Sequence, residues 1–572
     1  MHLEQYNIWM NQENLEPYLK EQLQNLTEAE IEDAFYRNLE FGTGGMRGVV
    51  GPGTNRMNVY TIRKANVGFA KYLLNLGEHV KKQGVVIAYD CRHFSPEFAM
   101  ESAKVLATYG IKAYIFESLR PTPELSFAVR HLQAAGGIVV TASHNPPEYN
   151  GYKLYDETGC QLIPHQGDEV IKYVDAIEDI FSIQVRSEEE LQSEGLIEII
   201  GEEIDTAYIN AVKTLEINPD CNKKDLKIVF TPLHGTANIP VRRVLTECGY
   251  GQLHVVEEQC TVDPNFSTVA SPNPEETSAF EMAINLAKEI DADMAMATDP
   301  DADRVGLAVK NSEGDYVLLT GNQTGAILIH YILSQKKAHG TLPAKGKVFN
   351  TIVTSDMGAA IARTYGFEVI STLTGFKFIG EQARILEDTD YEYVFGYEES
   401  YGYLIGDFVR DKDSVQSVLM CAEAAAYYKQ NGKTLYDVLM ELYETYGCYS
   451  EALVNITLKG KEGAAKIQAI LAEFREFTPL TVAGKEVVAV EDYKESTHTD
   501  LKNDTTTAID LPKSNVLKYT LEDGSWFVLR PSGTEPKAKV YIGVVADVLE
   551  KADEQVAKIK EDVLARVNEI VA

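Results

Sequence analysis

One order of elements occurs three times along this chain, and it limits the possible fold more than any other feature. Each unit alternates short apolar strands with amphipathic helices, which predicts βαβ units and parallel sheets. We therefore expect three similar α/β domains with mixed, mostly parallel sheets. The predicted elements are 84–90, 95–109, 123–135 and a strand ending at Ser143 in the first unit, 226–232 and a strand ending at Asp299 in the second, and 347–353, 376–387 and a strand ending near Ser400 in the third.

The last part of the chain has a different pattern. Strands, a helix near 462–475, a hairpin around Asp523 and Gly524, and a charged helix over about 546–571 are typical of an α+β domain. The length of 572 residues agrees, since about 100–200 residues per domain gives about three to five domains. We expect four domains around one central cleft, at 1–207, 208–322, 323–448 and 449–572.

Charge and composition exclude several classes of partner. The 53 basic and 86 acidic residues give a net charge of −33, which repels nucleic acid and anionic membranes. The sequence shows no secretory signal and no apolar run of about 20 residues. Its seven scattered cysteines include no CxxC pair, as is typical of reduced thiols in a cytosolic protein. We expect a cytoplasmic protein in which local arginines and lysines bind any anionic substrate.

An unusual polar loop follows the last strand of each unit. Ligands of open α/β sheets bind beyond the carboxyl ends of the strands. At that position the chain has TASHNP (141–146), DPDADR (299–304) and GYEES (396–400), and RPSGTEP (530–536) follows a strand of the last domain. We therefore expect four loops to meet at one cleft.

Three aspartates in DPDADR indicate a metal site. Asp299, Asp301 and Asp303 alternate directly after a buried strand, and oxygen ligands of this kind favour Mg²⁺ before Ca²⁺. An EF-hand does not fit, because Arg304 and Lys310 stand where that motif needs glycine and glutamate. A solvated acidic turn would explain two of the aspartates but not three beside an apolar strand.

The TASHNP loop carries a candidate nucleophile. The Ser143 hydroxyl is a weak nucleophile, and a metal ion near its oxygen would favour phosphoryl transfer. His144 would then act as a donor or proton carrier. Taken alone, the pattern also fits an ordinary turn at a strand end. The chain has no GxSxG elbow at this point, which argues against an α/β-hydrolase.

The other two loops carry groups suited to a sugar phosphate. RPSGTEP offers an arginine, two hydroxyls and backbone N–H groups for a phosphate, although a structural hairpin turn is an equal alternative. In GYEES, Glu398 and Ser400 suit vicinal sugar hydroxyls, although taken singly the segment also fits any strand end. The remaining candidates are Arg47 beside flexible glycines in GTGGMRG (42–48), and Lys153, Lys377 and Lys412, each of which taken alone also fits a solvent-facing side chain.

Together these loops resemble those of the α-D-phosphohexomutase superfamily, the phosphoglucomutases and phosphomannomutases. TASHNP is similar to the family's phosphoserine loop, DPDADR to its metal loop, GYEES to its sugar loop and RPSGTEP to its phosphate loop. They occur in the family's order, and the resemblance covers nearly the whole chain. GTGGMRG, TPLHGT (231–236) and the length resemble the longer branch, which includes bacterial α-phosphoglucomutases.

The resemblance implies a role for each candidate residue. Ser143 would be the phosphorylated serine. One Mg²⁺ would be held by Asp299, Asp301 and Asp303, with Ser143 contributing a phosphate oxygen. The remaining implied roles are sugar binding for Glu398 and Ser400, phosphate binding for Arg530, Ser532, Gly533 and Thr534, and active-site contacts for Arg47, His144, Lys153, Arg304, Lys377 and Lys412. The sugar loop departs from many members at Tyr397 and from some at Tyr403.

The resemblance also implies an activity. The expected reaction interconverts glucose 1-phosphate and glucose 6-phosphate, with glucose 1,6-bisphosphate as intermediate and activator, in a monomer or homodimer. Mannose or pentose phosphates, or synthesis of a sugar bisphosphate, would use the same chemistry. A metal-dependent phosphatase would instead release inorganic phosphate. A non-catalytic scaffold should have lost the serine or an acidic ligand, and all four residues are intact.

Overall fold

The computed structural model describes residues 2–42, 44–458, 460–532 and 537–571. They belong to two compact units. The first unit comprises Met1–Thr324, Ser334–Lys347 and Phe376–Tyr436, and the second comprises Gly325–Leu333, Val348–Gly375 and Asp437–Ala572. In the described ranges, every helix is too short or too polar to span a bilayer.

Three short helices precede the first predicted strand. They are α1 (His2–Met10), α2 (Pro17–Gln24) and α3 (Glu28–Phe35). Thr27 begins α3 with a capping box, in which its hydroxyl accepts the backbone N–H of Glu30 and the Glu30 carboxylate accepts that of Thr27. Trp9 and Phe35 pack edge to face in a small apolar core that also includes Tyr60. These three helices were not predicted from the sequence.

The first α/β domain contains a six-stranded sheet in the order β1-β5-β4-β2-β3-β6. Its elements are β1 (Gly45–Val49), α4 (Val59–Leu76), α5 (Val80–Gln83), β2 (Val85–Tyr89), α6 (Ser95–Thr108), β3 (Ala113–Phe116), α7 (Thr122–His131), β4 (Gly136–Val140), β5 (Tyr149–Asp156), α8 (Pro164–Asp175), α9 (Glu188–Ser193), β6 (Ile197–Ile200) and α10 (Glu202–Lys213). Strands β2 and β4 are parallel and fully buried, as expected for a sheet covered on both faces. Antiparallel β5 then returns from the end of β4 and places Lys153 opposite Val139.

The second domain contains a five-stranded sheet in the order β11-β10-β9-β7-β8. Its elements are β7 (Lys227–Thr231), α11 (Asn238–Glu247), β8 (Gln252–Val255), α12 (Glu281–Ile290), β9 (Met294–Thr298), β10 (Val305–Lys310) and β11 (Tyr316–Leu318). Strand β7 is parallel to β8 and β9, whereas β10 is antiparallel to β9. The DPDADR loop therefore joins two antiparallel strands at the carboxyl end of the fully buried β9.

The third repeat spans parts of both compact units. Its elements are α13 (Gly321–Ala338), β12 (Gly346–Thr351), α14 (Asp356–Thr364), β13 (Glu368–Thr372), α15 (Phe376–Leu386), β14 (Glu392–Glu398), β15 (Gly402–Leu404), α16 (Ser414–Gln430) and α17 (Leu435–Tyr446). In the first unit, antiparallel β14 and β15 place Glu398 opposite Gly402. In the second unit, the Ser371 hydroxyl of β13 donates to the Asn350 side chain of β12 at 2.7 Å.

The last domain is built on antiparallel strands, in the order β16-β23-β22-β21-β18-β19-β20 with β17 beside β18. Its elements are β16 (Cys448–Thr457), α18 (Gly460–Glu476), β17 (Thr481–Val482), β18 (Lys485–Asp492), β19 (Thr497–Asp500), β20 (Thr505–Ala508), β21 (Leu517–Leu521), β22 (Trp526–Pro531), β23 (Lys537–Ala546) and α19 (Leu549–Val571). The hairpin predicted around Asp523 and Gly524 joins β21 to β22. The predicted four-domain architecture of three α/β domains and a C-terminal α+β domain is confirmed. The exact domain limits stay a prediction.

Candidate active site

Ser143 lies at the tip of the loop that follows β4. Its φ of 52° is left-handed, a conformation that costs an L-residue about 1–2 kcal/mol and persists only when surrounding contacts hold it. The Ser143 Oγ donates a hydrogen bond to Asp299 Oδ2 at 2.6 Å, and His144 Nδ1 lies 3.1 Å from the same Oγ. The serine loop and the metal loop therefore meet in the structure.

Backbone hydrogen bonds hold the metal loop from three sides. The N–H of Thr122, which begins α7, donates to the Asp301 carbonyl at 2.9 Å. The N–H of Ser414, which begins α16, donates to the Ala302 carbonyl at 3.1 Å, and the N–H at the start of β10 donates to the Tyr401 carbonyl at 3.0 Å. Since Tyr401 follows the predicted sugar loop, three loops converge here within one compact unit.

The three aspartates form a compact cluster of buried carboxylates. Ligand oxygens of Asp299, Asp301 and Asp303 lie within 4.8 Å of one another. The other Asp299 oxygen, Oδ1, accepts the backbone N–H groups of Asp303 and Arg304 at 3.0 and 2.9 Å, which fixes its direction. Burial, followed by the charges of Asp303 and Asp301, raises the pKa of Asp299 well above its usual value.

A hard divalent cation fits this cluster. The Oδ1 atoms of Asp301 and Asp303 are buried and accept no hydrogen bond. Buried carboxylate oxygens without a partner are costly unless a cation binds them. Three carboxylates also leave coordination positions open for a substrate or phosphate oxygen, as in many Mg²⁺ sites.

Two lysines are paired with the aspartates rather than facing solvent. Lys153 Nζ lies 2.9 Å from Asp301 and 3.6 Å from Asp303, and Lys412 Nζ lies 3.1 Å from Asp303. Burial disfavours the charge of Lys412, but Asp303 and Asp411 raise its pKa above the usual value. Likewise, burial alone would raise the pKa of Asp301, and Lys153 holds it below its usual value. The solvent-facing alternative is therefore wrong for both lysines.

Two arginines lie at the serine and metal loops. Arg47 Nη1 donates to the Asn145 side chain at 2.9 Å, because β1 pairs with β5 beside the loop. Arg304 is paired with Glu275 and lies 3.8 Å from Asp303. That local arginines bind an anionic substrate of this strongly acidic chain stays a prediction.

His144 is held in its neutral form. Burial, and then the charges of Arg304 and Arg47, lower its pKa well below the usual value. Its Nδ1 lies 3.1 Å from Ser143 Oγ, so the neutral ring is within hydrogen-bonding distance of the candidate nucleophile.

The sugar-loop residues lie at the end of β14. Glu398 is buried, and its charge contributes to the raised pKa values of Lys412 and Arg304. Ser400 is half-buried two residues further on. Lys377 lies on the first turn of α15, with its Nζ 5.5 Å from the centre of the Phe378 ring.

The two tyrosines of this loop pack into the interior. Tyr397 and Tyr403 are both buried, and the Tyr403 hydroxyl donates to the Gly321 carbonyl at 3.0 Å. Their departure from other members of the superfamily therefore concerns packing around the loop rather than groups exposed to a ligand.

The predicted phosphate-loop residues belong to the second compact unit. Arg530 extends from β22 and donates to the Tyr541 hydroxyl at 3.3 Å. The Ser532 N–H donates to the Lys537 carbonyl at 2.8 Å. Gly533 and Thr534 lie outside the described residues.

Sequence reasoning missed three side chains at this site. Thr122 donates its hydroxyl to Asp301 Oδ2 at 3.0 Å, Glu275 pairs with Arg304, and Arg92 donates to the Ser143 carbonyl at 2.5 Å. Arg92 follows the carboxyl end of β2, the same sheet edge that carries Ser143. That position was the one signal in the sequence that could have identified it.

Comparison with known proteins places the chain in a family. Four phosphoglucomutase/phosphomannomutase models match: alpha/beta/alpha domains I, II and III at residues 38–180, 206–314 and 320–446, and the C-terminal domain at 453–565. A phosphoglucomutase of Staphylococcus epidermidis is 40% identical, covering 93% of this chain and 95% of its own. A phosphoglucomutase of Staphylococcus aureus is 39% identical, covering 94% and 95%.

Solved structures agree on the fold. A putative phosphomannomutase from Thermus thermophilus has a TM-score of 0.68 at 23% identity, covering 93% of this chain and 99% of its own. The phosphoprotein pp63/parafusin from Paramecium, a phosphoglucomutase, has a TM-score of 0.67 at 18% identity, covering 94% and 95%. With all four domain models matched and 40% identity over almost its whole length, this chain belongs to the phosphoglucomutase/phosphomannomutase family.

Proposed function

We propose that this enzyme interconverts α-D-glucose 1-phosphate and glucose 6-phosphate through a phosphorylated Ser143 and a glucose 1,6-bisphosphate intermediate. The observation that carries the proposal is the 2.6 Å hydrogen bond from Ser143 Oγ to Asp299, one of three clustered carboxylates. The relatives named phosphoglucomutase, about 40% identical along the chain, support this intramolecular phosphotransferase.

One Mg²⁺ ion per site would be held by Asp299, Asp301 and Asp303, together with a phosphate oxygen of phosphorylated Ser143. The buried Oδ1 atoms of Asp301 and Asp303, which accept no hydrogen bond, support this assignment. When bound, the ion would neutralise negative charge on the phosphoryl group during transfer.

The chain's own residues carry the phosphoryl group. In the first half-reaction, the 6-hydroxyl of glucose 1-phosphate attacks the phosphorus on Ser143. The Oγ–P bond breaks, and Oγ keeps its electron pair. The hydroxyl proton passes to a nearby base, for which His144 is our candidate because its Nδ1 lies 3.1 Å from Ser143 Oγ. After the bisphosphate turns over, Ser143 Oγ attacks the phosphorus of the 1-phosphate. The bond between that phosphorus and the sugar O1 breaks, and O1 keeps the electron pair and takes a proton, which gives glucose 6-phosphate.

Other groups would hold the sugar phosphate in both orientations. We assign the 3- and 4-hydroxyls to Glu398 and Ser400. The phosphate that is not reacting is assigned to Arg530, Ser532, Gly533 and Thr534, with Lys377 as a further contact. Four cations would balance the negative charge around the phosphoserine: Arg47, Lys153, Arg304 and Lys412. Lys153, Arg304 and Lys412 lie beside buried aspartates of the metal loop. Arg47 donates to Asn145 of the serine loop.

A coupled assay tests the reaction. The protein is given glucose 1-phosphate, Mg²⁺ and catalytic glucose 1,6-bisphosphate, and glucose 6-phosphate is detected by its oxidation. Parallel reactions contain mannose 1-phosphate or ribose 1-phosphate. We expect the highest kcat/KM with glucose 1-phosphate and no release of inorganic phosphate. Preference for another sugar would change the assigned substrate, and stoichiometric phosphate release would instead identify a phosphatase.

Replacing Glu398 should impair sugar binding selectively. Glu398→Gln keeps the shape but replaces a charged acceptor, so kcat/KM for glucose 1-phosphate should fall about 10- to 100-fold, the effect of one charged hydrogen bond. Steady-state kinetics measure this. Glu381→Gln is the matched control, because Glu381 pairs with Arg384 on α15. Equal kinetics for both variants would contradict the assigned role of Glu398.

A further inference from the structure

A buried arginine lies directly behind the serine loop. Arg92 Nη2 donates to the carbonyls of Ser143 and Asn145, both at 2.5 Å. Its Nη1 donates to the carbonyls of Pro146 and Tyr149 at 2.8 and 3.0 Å. The Arg92 side chain is fully buried. Because these bonds use all four Nη hydrogens, one guanidinium orients the backbone of the entire loop.

Asp90 lies beside Arg92 and is also linked to Ser143 through the Thr141 hydroxyl. Its Oδ2 lies 3.3 Å from Arg92 Nε and accepts the Thr141 hydroxyl at 2.7 Å. Thr141 Oγ1 in turn accepts the Ser143 N–H at 2.8 Å. The Ser95 hydroxyl donates to the other Asp90 oxygen at 2.7 Å. Both the N–H and the carbonyl of Ser143 are therefore fixed by one buried network.

The guanidinium also lies over an aromatic ring of the second α/β domain. Arg92 Cζ lies 5.1 Å from the centre of the Phe266 ring, and Phe266 is buried. The His234 ring lies beside Phe266, with centroids 6.4 Å apart. His234 Nδ1 lies 2.8 Å from the Thr261 carbonyl and Nε2 lies 2.7 Å from the Thr268 hydroxyl. These contacts fix His234 against the loop that carries Phe266.

The residues after His234 support the metal loop. The Thr236 N–H donates to the Pro300 carbonyl at 2.9 Å. A Cβ atom on Gly235 would lie 2.5 Å from Pro300 Cα, so only glycine permits this approach. Pro300 stands between Asp299 and Asp301. The TPLHGT segment, which the proposed chemistry does not use, thus lies directly beneath the metal loop.

We propose that Arg92, Phe266 and the TPLHGT segment form a positioning bridge that sets Ser143 Oγ against Asp299. The proposal rests on Ser143 being the phosphoryl carrier. Ser143 has a left-handed backbone, and such a conformation persists only when its surroundings fix it. The bridge touches the backbone of both loops but no reacting atom. It therefore acts on the rate of phosphoryl transfer, because small misplacements of reacting groups are costly.

Arg92→Lys is the first test. Lysine keeps the charge but has three donors and no planar fork, so it cannot hold all four carbonyls. The rate of Ser143 phosphorylation by glucose 1,6-bisphosphate, followed by intact mass, should fall about 10- to 100-fold. The KM for glucose 1-phosphate and the affinity for Mn²⁺, measured by electron paramagnetic resonance, should stay unchanged, because the sugar loop and the aspartates are intact.

Phe266→Leu is the second test, and it probes the same contact independently if Arg92→Lys folds poorly. It removes the ring beneath the guanidinium and should slow phosphorylation about tenfold. The double variant should be no slower than Arg92→Lys, as expected for two residues of one unit. Arg63→Lys is the matched control. Arg63 also pairs with a carboxylate, Glu101, and lies over the Tyr60 ring, but it does not contact the serine loop.

The results with the variants test the positioning bridge, and the results with the wild-type protein test the proposed function. Wild-type phosphorylation rates in Arg92→Lys or Phe266→Leu would overturn the bridge. A parallel loss of Mn²⁺ affinity and rise in KM would also overturn it, since that pattern indicates general disruption. If the wild-type protein itself is not phosphorylated on Ser143, the proposed function fails regardless of the variants.

Discussion

Ser143→Ala is expected to lose at least about 10³-fold in kcat while still folding, the scale of loss when a covalent nucleophile is removed. Alanine keeps the Cβ, so the backbone contacts that hold this loop remain. The substitution removes only Oγ, which bonds to Asp299 and lies beside His144. The coupled assay measures the rate, and circular dichroism with thermal unfolding measures the fold.

Ser102→Ala is the matched control for this variant. Ser102 is also a buried serine of the first domain, but its hydroxyl donates to the Phe98 carbonyl within α6 and has no contact with the metal loop. We expect near-normal turnover from Ser102→Ala. A Ser143→Ala protein with near-normal turnover would overturn the covalent mechanism.

Asp301→Asn should have the second largest effect. Asp301 offers one partner-free oxygen to a metal and accepts the ammonium of Lys153 with the other. The amide is neutral, so Mg²⁺ affinity should fall at least about 10²-fold, beyond what loss of a supporting outer group costs. Turnover at moderate Mg²⁺ should fall with it. Titration calorimetry measures the affinity, and the coupled assay across Mg²⁺ concentrations measures the turnover.

Thermal unfolding gives a second readout for this variant. A ligand that binds only the folded state stabilises it, by about 2.7 kcal/mol when its concentration is 100 times its dissociation constant. Mg²⁺ should therefore raise the unfolding temperature of the wild-type protein and not that of Asp301→Asn. Asp205→Asn is the control, because Asp205 is paired with Arg120 at 2.8 Å outside the aspartate cluster. Equal Mg²⁺ responses in both variants would contradict the metal assignment.

The sequence predicted the parts of the fold that depend on local pattern. Apolar strands alternating with helices gave the three α/β domains, and the polar residues directly after β4 and β9 marked Ser143 and Asp299. Ligands of such sheets bind at the carboxyl ends of the strands, so topology predicted each loop as a binding loop at the edge of its own sheet. The structure then brings them to hydrogen-bonding distance.

Other features depend on contacts between distant segments, which a local pattern does not encode. Arg92 looks like an ordinary charged residue after a strand, yet it is fully buried by the backbone of a loop more than fifty positions away. From the sequence alone, Lys153 and Lys412 also fit solvent-facing side chains. Their pairing was not predicted, because the aspartates that they contact come from another domain. The helices α1 to α3 are short, and their common core around Trp9 depends on contacts between separate helices, so it was not predicted.

The central claim is that Ser143 carries the phosphoryl group between two positions of one sugar. The most direct test uses glucose 1,6-bisphosphate labelled with radioactive phosphorus, followed by peptide mapping of the labelled protein. We predict that a single peptide carries the label, that fragmentation places it on Ser143, and that glucose 1-phosphate then removes it as labelled bisphosphate. Label on another residue, or an unlabelled protein that nevertheless turns over, would contradict the account.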